Sequence, residues 1–228
     1  MIGSWISSNS PVIAEVMAQA GLDFLVIDEE HSPCCSADIF AMLQAIRSGG
    51  DCEAWVRVKH TEDASRYLDA GADGIIAPLV NIREQADILV EACLYPPHGR
   101  RGLGFCRANR YGQDVDVTEA TRIFAQIEHK DALPNLDEIL SVEGLDGTFI
   151  GPWDLSASMG FAGDMKNDKV VAAIDSIRAA CERNGKMCGF HTTNTDTDAF
   201  RQLSDIYDPL AYSLDITIIA EALKKIRP

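Results

Sequence analysis

The chain has no apolar run approaching the roughly 18 to 20 residues of a membrane-spanning helix. The polar turn residues around Gly3 to Ser10 do not make a secretory signal. A soluble, cytoplasmic protein with no membrane partner is therefore expected. Basic residues are scarce: 20 Lys and Arg against 35 Asp and Glu give a formal charge of -15, spread without an acidic tail. Such a surface repels phosphate backbones, so nucleic acid is excluded as a partner. No CxxC pair occurs among the seven cysteines (34, 35, 52, 93, 106, 181 and 188), which removes the thiolate metal sites and leaves an odd number of thiols, read as reduced. No Gly-x-Gly-x-x-Gly follows the first strand, and no Walker A pattern occurs anywhere.

What is present is rhythm. The 228 residues, 46% of them hydrophobic, suffice for one sizeable core, so residues 1–228 are expected to form a single domain. Short β-rich runs at 3–7, 23–28, 54–58, 74–78, 124–128, 147–151, 186–191 and 210–213 alternate with helical patterns. The helices are expected near 11–20, 36–47, 61–70, 81–93, 132–140, 169–184, 195–205 and 215–226. Pro11 opens the first helix and Gly21 follows it. The pattern Ala-Gly-x-Asp occurs at Ala20–Asp23 and again at Ala70–Asp73, each time joining a helix end to a strand. Eight βα units most simply close into a (β/α)8 barrel; a doubly wound sheet is the other arrangement with this rhythm. The main irregular insertion is expected around 94–123.

In a barrel the site lies beyond the C-terminal strand ends. Residues at those ends are Asp28, Glu30 and His31 after the second strand, Arg57 on the third, Gln126 and Glu128 on the fifth, Asp154 after the sixth and His191 after the seventh. Gln126 and Glu128 share strand parity, and a charge in the apolar run Ile123–Glu128 is costly unless paired or bound to an ion. Glu128 and Asp154 are accordingly the metal candidates, suited to Mg2+ or Mn2+. A buried Arg–carboxylate network with surface caps is the competing explanation. Gly151 allows a close backbone approach, and the amides of Trp153 and Asp154 are placed to face an anion; equally, Asp154 could cap the short helix that follows. Arg57 suits an oxyanion, His31 suits proton transfer near neutral pH, and Asp28 suits orienting that imidazole. Taken singly, Arg57 could instead close a core ion pair and His31 could cap a turn.

Several blocks then carry a resemblance: Gly3-Ser4-Trp5, Phe24–His31, Val56-Arg57-Val58, Leu68–Ala72, Ile76–Val80, Tyr95–Gly102, Gln126-Ile127-Glu128 and Phe149–Ser156. Together they resemble the HpcH/HpaI aldolase family, the metal-dependent pyruvate aldolases related to 4-hydroxy-2-oxoheptanedioate aldolase. The resemblance implies a TIM barrel of the phosphoenolpyruvate/pyruvate-binding type. It implies a class II aldolase that cleaves 4-hydroxy-2-oxo acids to pyruvate and an aldehyde through an enolate, with no lysine Schiff base. Glu128 and Asp154 are then the ligands of a divalent cation (Mg2+, Mn2+ or Co2+), with Gln126 beside them. The backbone from Gly151 to Asp154 takes the pyruvate carboxylate, Arg57 the keto oxygen, and Trp5 forms a pocket wall. His31 moves protons, assisted by Asp28 and by Asp69 from a neighbouring chain.

The resemblance also implies a homo-oligomer, with hexamers common in the family. Oxaloacetate decarboxylation and other enolate-forming carbon–carbon lyase chemistry are the alternatives it admits. Glu29, His129 and Trp153 depart from the family's usual residues, and His191 with Thr192 and Thr193 makes the seventh strand's exit polar. Glu29 is therefore expected to bear on substrate preference, and the other departures are candidates for the same effect. The family's usual helix before the Gly-x-Trp strand is not expected here.

Overall fold

The computed structural model describes residues 1–114 and 121–226. Eight parallel strands close into a barrel in sequence order: β1 (Ile2–Ile6), β2 (Phe24–Asp28), β3 (Glu53–Arg57), β4 (Gly74–Ala77), β5 (Arg122–Ile127), β6 (Gly147–Ile150), β7 (Met187–Thr192) and β8 (Leu210–Leu214). The helices are α1 (Pro11–Gln19), α2 (Ser36–Gly49), α3 (Ala64–Asp69), α4 (Arg83–Cys93), α5 (Leu136–Leu140), α6 (Pro152–Ser158), α7 (Asp168–Asn184), α8 (Thr197–Ser204) and α9 (Asp215–Lys224). This is the expected (β/α)8 arrangement, and the doubly wound alternative falls.

Local chemistry explains the element ends. Ser10 caps α1 by accepting from the Ile13 amide at 3.3 Å, and Pro11 occupies its first turn, where a missing N–H costs nothing. Two expected helices are shorter than their periodicity suggests. Thr61–Asp63 forms a 3-10 turn ahead of α3, and Lys130–Asn135, which contains Pro134, forms another ahead of α5. Pro134 has no N–H for a helical ladder. The expected insertion carries a single 3-10 turn, Arg110–Gly112, among its described residues; 115–120 lie outside them.

A Gly-x-Asp latch recurs three times at the N-terminal end of the barrel, once more than the sequence pattern shows. Asp23 accepts the Ile2 amide at 2.6 Å, Asp73 the Ala54 amide at 2.8 Å and Asp146 the Ile123 amide at 2.7 Å. The glycine two residues earlier has positive φ each time (82°, 101° and 87°). That left-handed turn lets the aspartate reach back to the preceding strand.

Strand parity separates two cores. Leu25, Ile27, Val56, Ile75, Ile123 and Ile127 face the helices, while Trp5, Phe24, Val26, Trp55, Ile76, Phe124 and Phe149 fill the barrel. Inside, Phe24 stacks on Trp55 with ring centres 4.2 Å apart, and Trp55 on Phe124 at 5.2 Å. Glycines make room for these rings. A Cβ at Gly74 would sit 2.8 Å from the Trp55 ring, and one at Gly189 would sit 2.6 Å from Phe149. Two residues further along the same inward rows the side chains turn polar: Phe24, Val26, Asp28; Trp55, Arg57; Phe124, Gln126, Glu128. The inside of the barrel is thus apolar at its base and charged at its C-terminal mouth.

Candidate active site

Arg57 is the fixed point of the mouth. It is buried, and its Nε and Nη2 donate to the two carboxylate oxygens of buried Asp28 at 2.9 and 2.7 Å. The two residues are register partners across β2 and β3, so their side chains leave adjacent strands on the same face. The guanidinium also lies over the Trp5 ring, 4.5 Å from its centre. Asp28 also folds the turn that follows β2, since its Oδ1 accepts the amides of Glu30 and His31 at 3.1 and 3.2 Å. This corrects the expectation that Asp28 orients the His31 imidazole. The carboxylate is committed to Arg57 and to the turn, and the exposed imidazole lies instead 3.7 Å from Glu30. Glu30 in turn sits 3.2 Å from Arg57 Nη1, an ion pair lacking the alignment of a hydrogen bond. Burial, opposed by Arg57 and His31, raises the Glu30 pKa above its ordinary value.

Across the mouth, Glu128 is buried just past β5. Its Oε1 accepts the Leu79 amide at 2.8 Å, and Leu79 adopts a left-handed φ of 54°, which turns that amide toward the carboxylate. Its Oε2 accepts from Gln126 Nε2 in a short hydrogen bond. Gly151 leaves room for this group, since a Cβ there would lie 2.7 Å from Glu128 Oε2. Burial pushes the Glu128 pKa up to about 7; the Leu79 amide and Arg57 oppose the rise, while the negative charges of Glu30 and Asp154 add to it.

Asp154 stands in the first turn of α6, exposed, with Pro152 as the opening residue. The amides of Trp153 and Asp154 belong to that turn and have no intrahelical acceptor. A cavity of about 140 Å3 joins the two sides and is lined by Trp5, His31, Arg57, Gln126, Gly151, Trp153, Asp154 and His191, among others.

The residue set suits a divalent cation. Asp28, Glu30 and Glu128 lie within electrostatic reach of the Arg57 guanidinium, which Asp28 already occupies, Asp154 adds a further negative charge near Glu30 and Glu128, and Gln126 Oε1 is buried without a partner among the described residues. Among the described residues no cluster of three or more His, Cys, Asp or Glu side chains has metal-ligating spacing. Glu128 and Asp154 would therefore supply two ligands and leave the rest to water and substrate, the usual habit of Mg2+.

The remaining expected residues divide. Asp69 ends α3 and is held by Arg101 Nε and Nη2 at 3.0 and 2.7 Å, outside the site of its own chain. Glu29 points away from the cavity, accepting the Lys59 amide at 2.9 Å and a short hydrogen bond from Tyr67. Its parity, opposite to that of Asp28, is the signal that excludes it from the pocket, so its expected influence on substrate preference has no structural basis. His129 accepts the Asp131 amide at 3.3 Å and caps the 3-10 turn. Trp153 donates its indole N–H to Thr193 Oγ1 at 3.1 Å, bridging the rim between α6 and the exit of β7. His191 is a fuller member of the site than the sequence suggests. Its ring stacks on Trp5 with centres 4.8 Å apart, and its Nε2 lies 3.0 Å from the Ser213 carbonyl.

Comparison with known proteins adds independent findings. The family model for HpcH/HpaI aldolase/citrate lyase matches residues 1–219. The hydroxypyruvate/pyruvate aldolase of Roseobacter denitrificans is 40% identical over 203 residues, covering 85% of this chain and 78% of that protein. The 4-hydroxy-2-oxovalerate aldolase of Rhodococcus jostii is 39% identical, covering 81% and 75%. Among solved structures, an HpcH/HpaI aldolase/citrate lyase family protein of Burkholderia cenocepacia superposes with a TM-score of 0.93 at 32% identity, covering 99% of this chain and 92% of that one.

Proposed function

The chain belongs to the HpcH/HpaI aldolase/citrate lyase family, and from that premise we propose that it is a carbon–carbon lyase, a class II aldolase that reversibly cleaves 4-hydroxy-2-oxo acids to pyruvate and an aldehyde. The observation that carries this reading is the buried Glu128 carboxylate, held by the Leu79 amide and Gln126 beneath Gly151 and within electrostatic reach of Asp154, with no cationic side chain hydrogen-bonded to it among the described residues. A buried charge without a paired counter-charge is costly, and a divalent cation would supply one. Bound there by Glu128 and Asp154, Mg2+ or Mn2+ supplies Lewis-acid stabilisation of the negative charge that develops on a 2-oxo acid.

The chain's own residues do the rest. Asp28 and Trp5 hold the Arg57 guanidinium rigid, so its free N–H groups are already aimed when charge develops on the keto oxygen. The first-turn amides of Trp153 and Asp154 receive the substrate carboxylate. Exposed His31, with Glu30 at 3.7 Å, sits at the cavity edge as the proton carrier. Cleavage takes a proton from the C4 hydroxyl and breaks the C3–C4 bond; the electron pair remains on C3 as the pyruvate enolate, which C3 protonation converts to pyruvate.

The test supplies Mg2+, Mn2+ or Co2+ with a panel of 4-hydroxy-2-oxo acids and follows pyruvate with a coupled dehydrogenase. Release that EDTA abolishes and Glu128→Gln lacks is expected. Absence of cation-dependent release across the panel overturns the assignment.

A further inference from the structure

We propose that His191 recognises a substrate hydroxyl, its Nδ1 accepting a hydrogen bond from a hydroxyl group borne on C3 of the 2-oxo acid or on the carbon next to the aldehyde carbonyl. The proposal deepens the aldolase reading and rests on it. Its basis is the tautomer. The partner of Nε2, 3.0 Å away, is the Ser213 backbone carbonyl, which can only accept, so Nε2 carries the proton and Nδ1 carries a lone pair. Burial, with Arg57 nearby, holds the ring neutral by lowering its pKa to about 4, although the carbonyl bond pulls the other way.

Nδ1 has no hydrogen-bond partner among the described residues, and it is not one of the side-chain atoms sealed from solvent. The ring plane is set by stacking on Trp5, and Trp5 is itself packed edge-on by Phe149 with ring centres 6.0 Å apart. The imidazole lines the same cavity as Arg57, Gln126 and Asp154.

Chemistry then narrows the ligand. Nδ1 is an acceptor only. The carboxylate and keto oxygens of a 2-oxo acid offer no hydrogen, nor does the carbonyl of an aldehyde. The one donor that small substrates of this kind carry is a hydroxyl. It could arrive on the nucleophile, as in hydroxypyruvate, or on the aldehyde, as in glycolaldehyde. Leucine at this position would present the same cavity with an apolar wall and no preference for either.

The test compares kcat/KM ratios with Mg2+ present, for wild type, His191→Leu and His191→Gln. One arm uses hydroxypyruvate against pyruvate as nucleophile, with acetaldehyde as acceptor. The other uses glycolaldehyde against acetaldehyde as acceptor, with pyruvate as nucleophile. His191→Leu is expected to lower the hydroxylated-to-plain ratio about tenfold in one arm, and His191→Gln, which keeps an acceptor, to recover most of it. The arm that moves identifies which hydroxyl is held. Ratios within about twofold of wild type in both arms overturn the proposal.

A measurement on the unaltered chain covers the case in which a variant fails to fold. With nitrogen-15 histidine, the His191 Nδ1 resonance should shift on adding the hydroxylated substrate with Mg2+ and stay in place with the plain one. No shift with either hydroxylated compound overturns the proposal. If wild type also fails to exchange the methyl protons of pyruvate, the aldolase reading falls with it. If exchange proceeds while the ratios and the resonance stay unmoved, only the role of His191 falls.

Discussion

Replacing Glu128 with glutamine should stabilise the cation-free protein while removing its response to divalent cations. The raised pKa supplies the magnitude. A carboxyl that titrates at 4.5 when unfolded and at about 7 when folded costs the native state about 3 kcal/mol once both states are ionised. The sign follows from proton counting. Between pH 4.5 and 7 the folded state binds more protons than the unfolded state, so wild-type stability falls as pH rises through that window. Glutamine does not titrate.

The advantage of Glu128→Gln should therefore be near zero at pH 4.5 and should approach about 3 kcal/mol at pH 8, or roughly 6 to 12 °C in Tm for a chain of this size. The local hydrogen bonds can survive. The new side chain keeps an oxygen for the Leu79 amide, and Gln126 can turn so that its unpartnered Oε1 accepts from the new amide nitrogen. Thermal unfolding followed by circular dichroism in EDTA at both pH values measures the difference. Added Mg2+ should then raise the Tm of wild type alone. A variant destabilised equally at both pH values would refute the reasoning, because the carboxylate would then be contributing to the fold instead of being strained by it.

Other perturbations have equally definite outcomes. Arg57→Lys removes the fork that grips Asp28, and kcat should fall by about 10² to 10³, read from steady-state pyruvate release with cation saturating. Gly151→Ala places a Cβ 2.7 Å from Glu128 Oε2, so divalent-cation affinity by calorimetry should weaken at least about tenfold while the far-ultraviolet spectrum holds. Glu29→Gln should leave the ranking of aldehydes in a kcat/KM panel unchanged, because Glu29 bonds Tyr67 and the Lys59 amide away from the cavity. Its cost should be about 1 kcal/mol of stability, read as a Tm lower by roughly 2 to 4 °C.

The barrel was legible because alternating βα periodicity is a local property, and because Gly-x-Asp turns mark strand starts with residues whose chemistry is unambiguous. The inward row of Gln126 and Glu128 was legible for the same reason. Choices of partner were not. Asp28 ends a strand three residues before a histidine, so sequence proximity suggests that it serves His31; the register of β2 on β3 instead places Arg57 beside it, and two charge-assisted bonds outweigh a contact to an exposed ring. His191 shows the same limit. Its polarity is visible in the sequence, but its stacking on Trp5 and its bond to Ser213 depend on β7, β8 and β1 closing the barrel. The short helix after β6 was legible only as something that Asp154 could cap; it starts earlier, at Pro152, so that Asp154 lies within its first turn.

The central claim is that this mouth forms and stabilises a pyruvate enolate, and exchange of pyruvate methyl protons with D2O, followed by proton NMR, tests it without knowledge of the aldehyde. With Mg2+ the methyl signal should decay, EDTA should stop the decay, and Arg57→Ala should slow it at least about 100-fold. A methyl signal that persists with Mg2+, Mn2+ and Co2+ alike, or that decays equally in EDTA, would contradict the account.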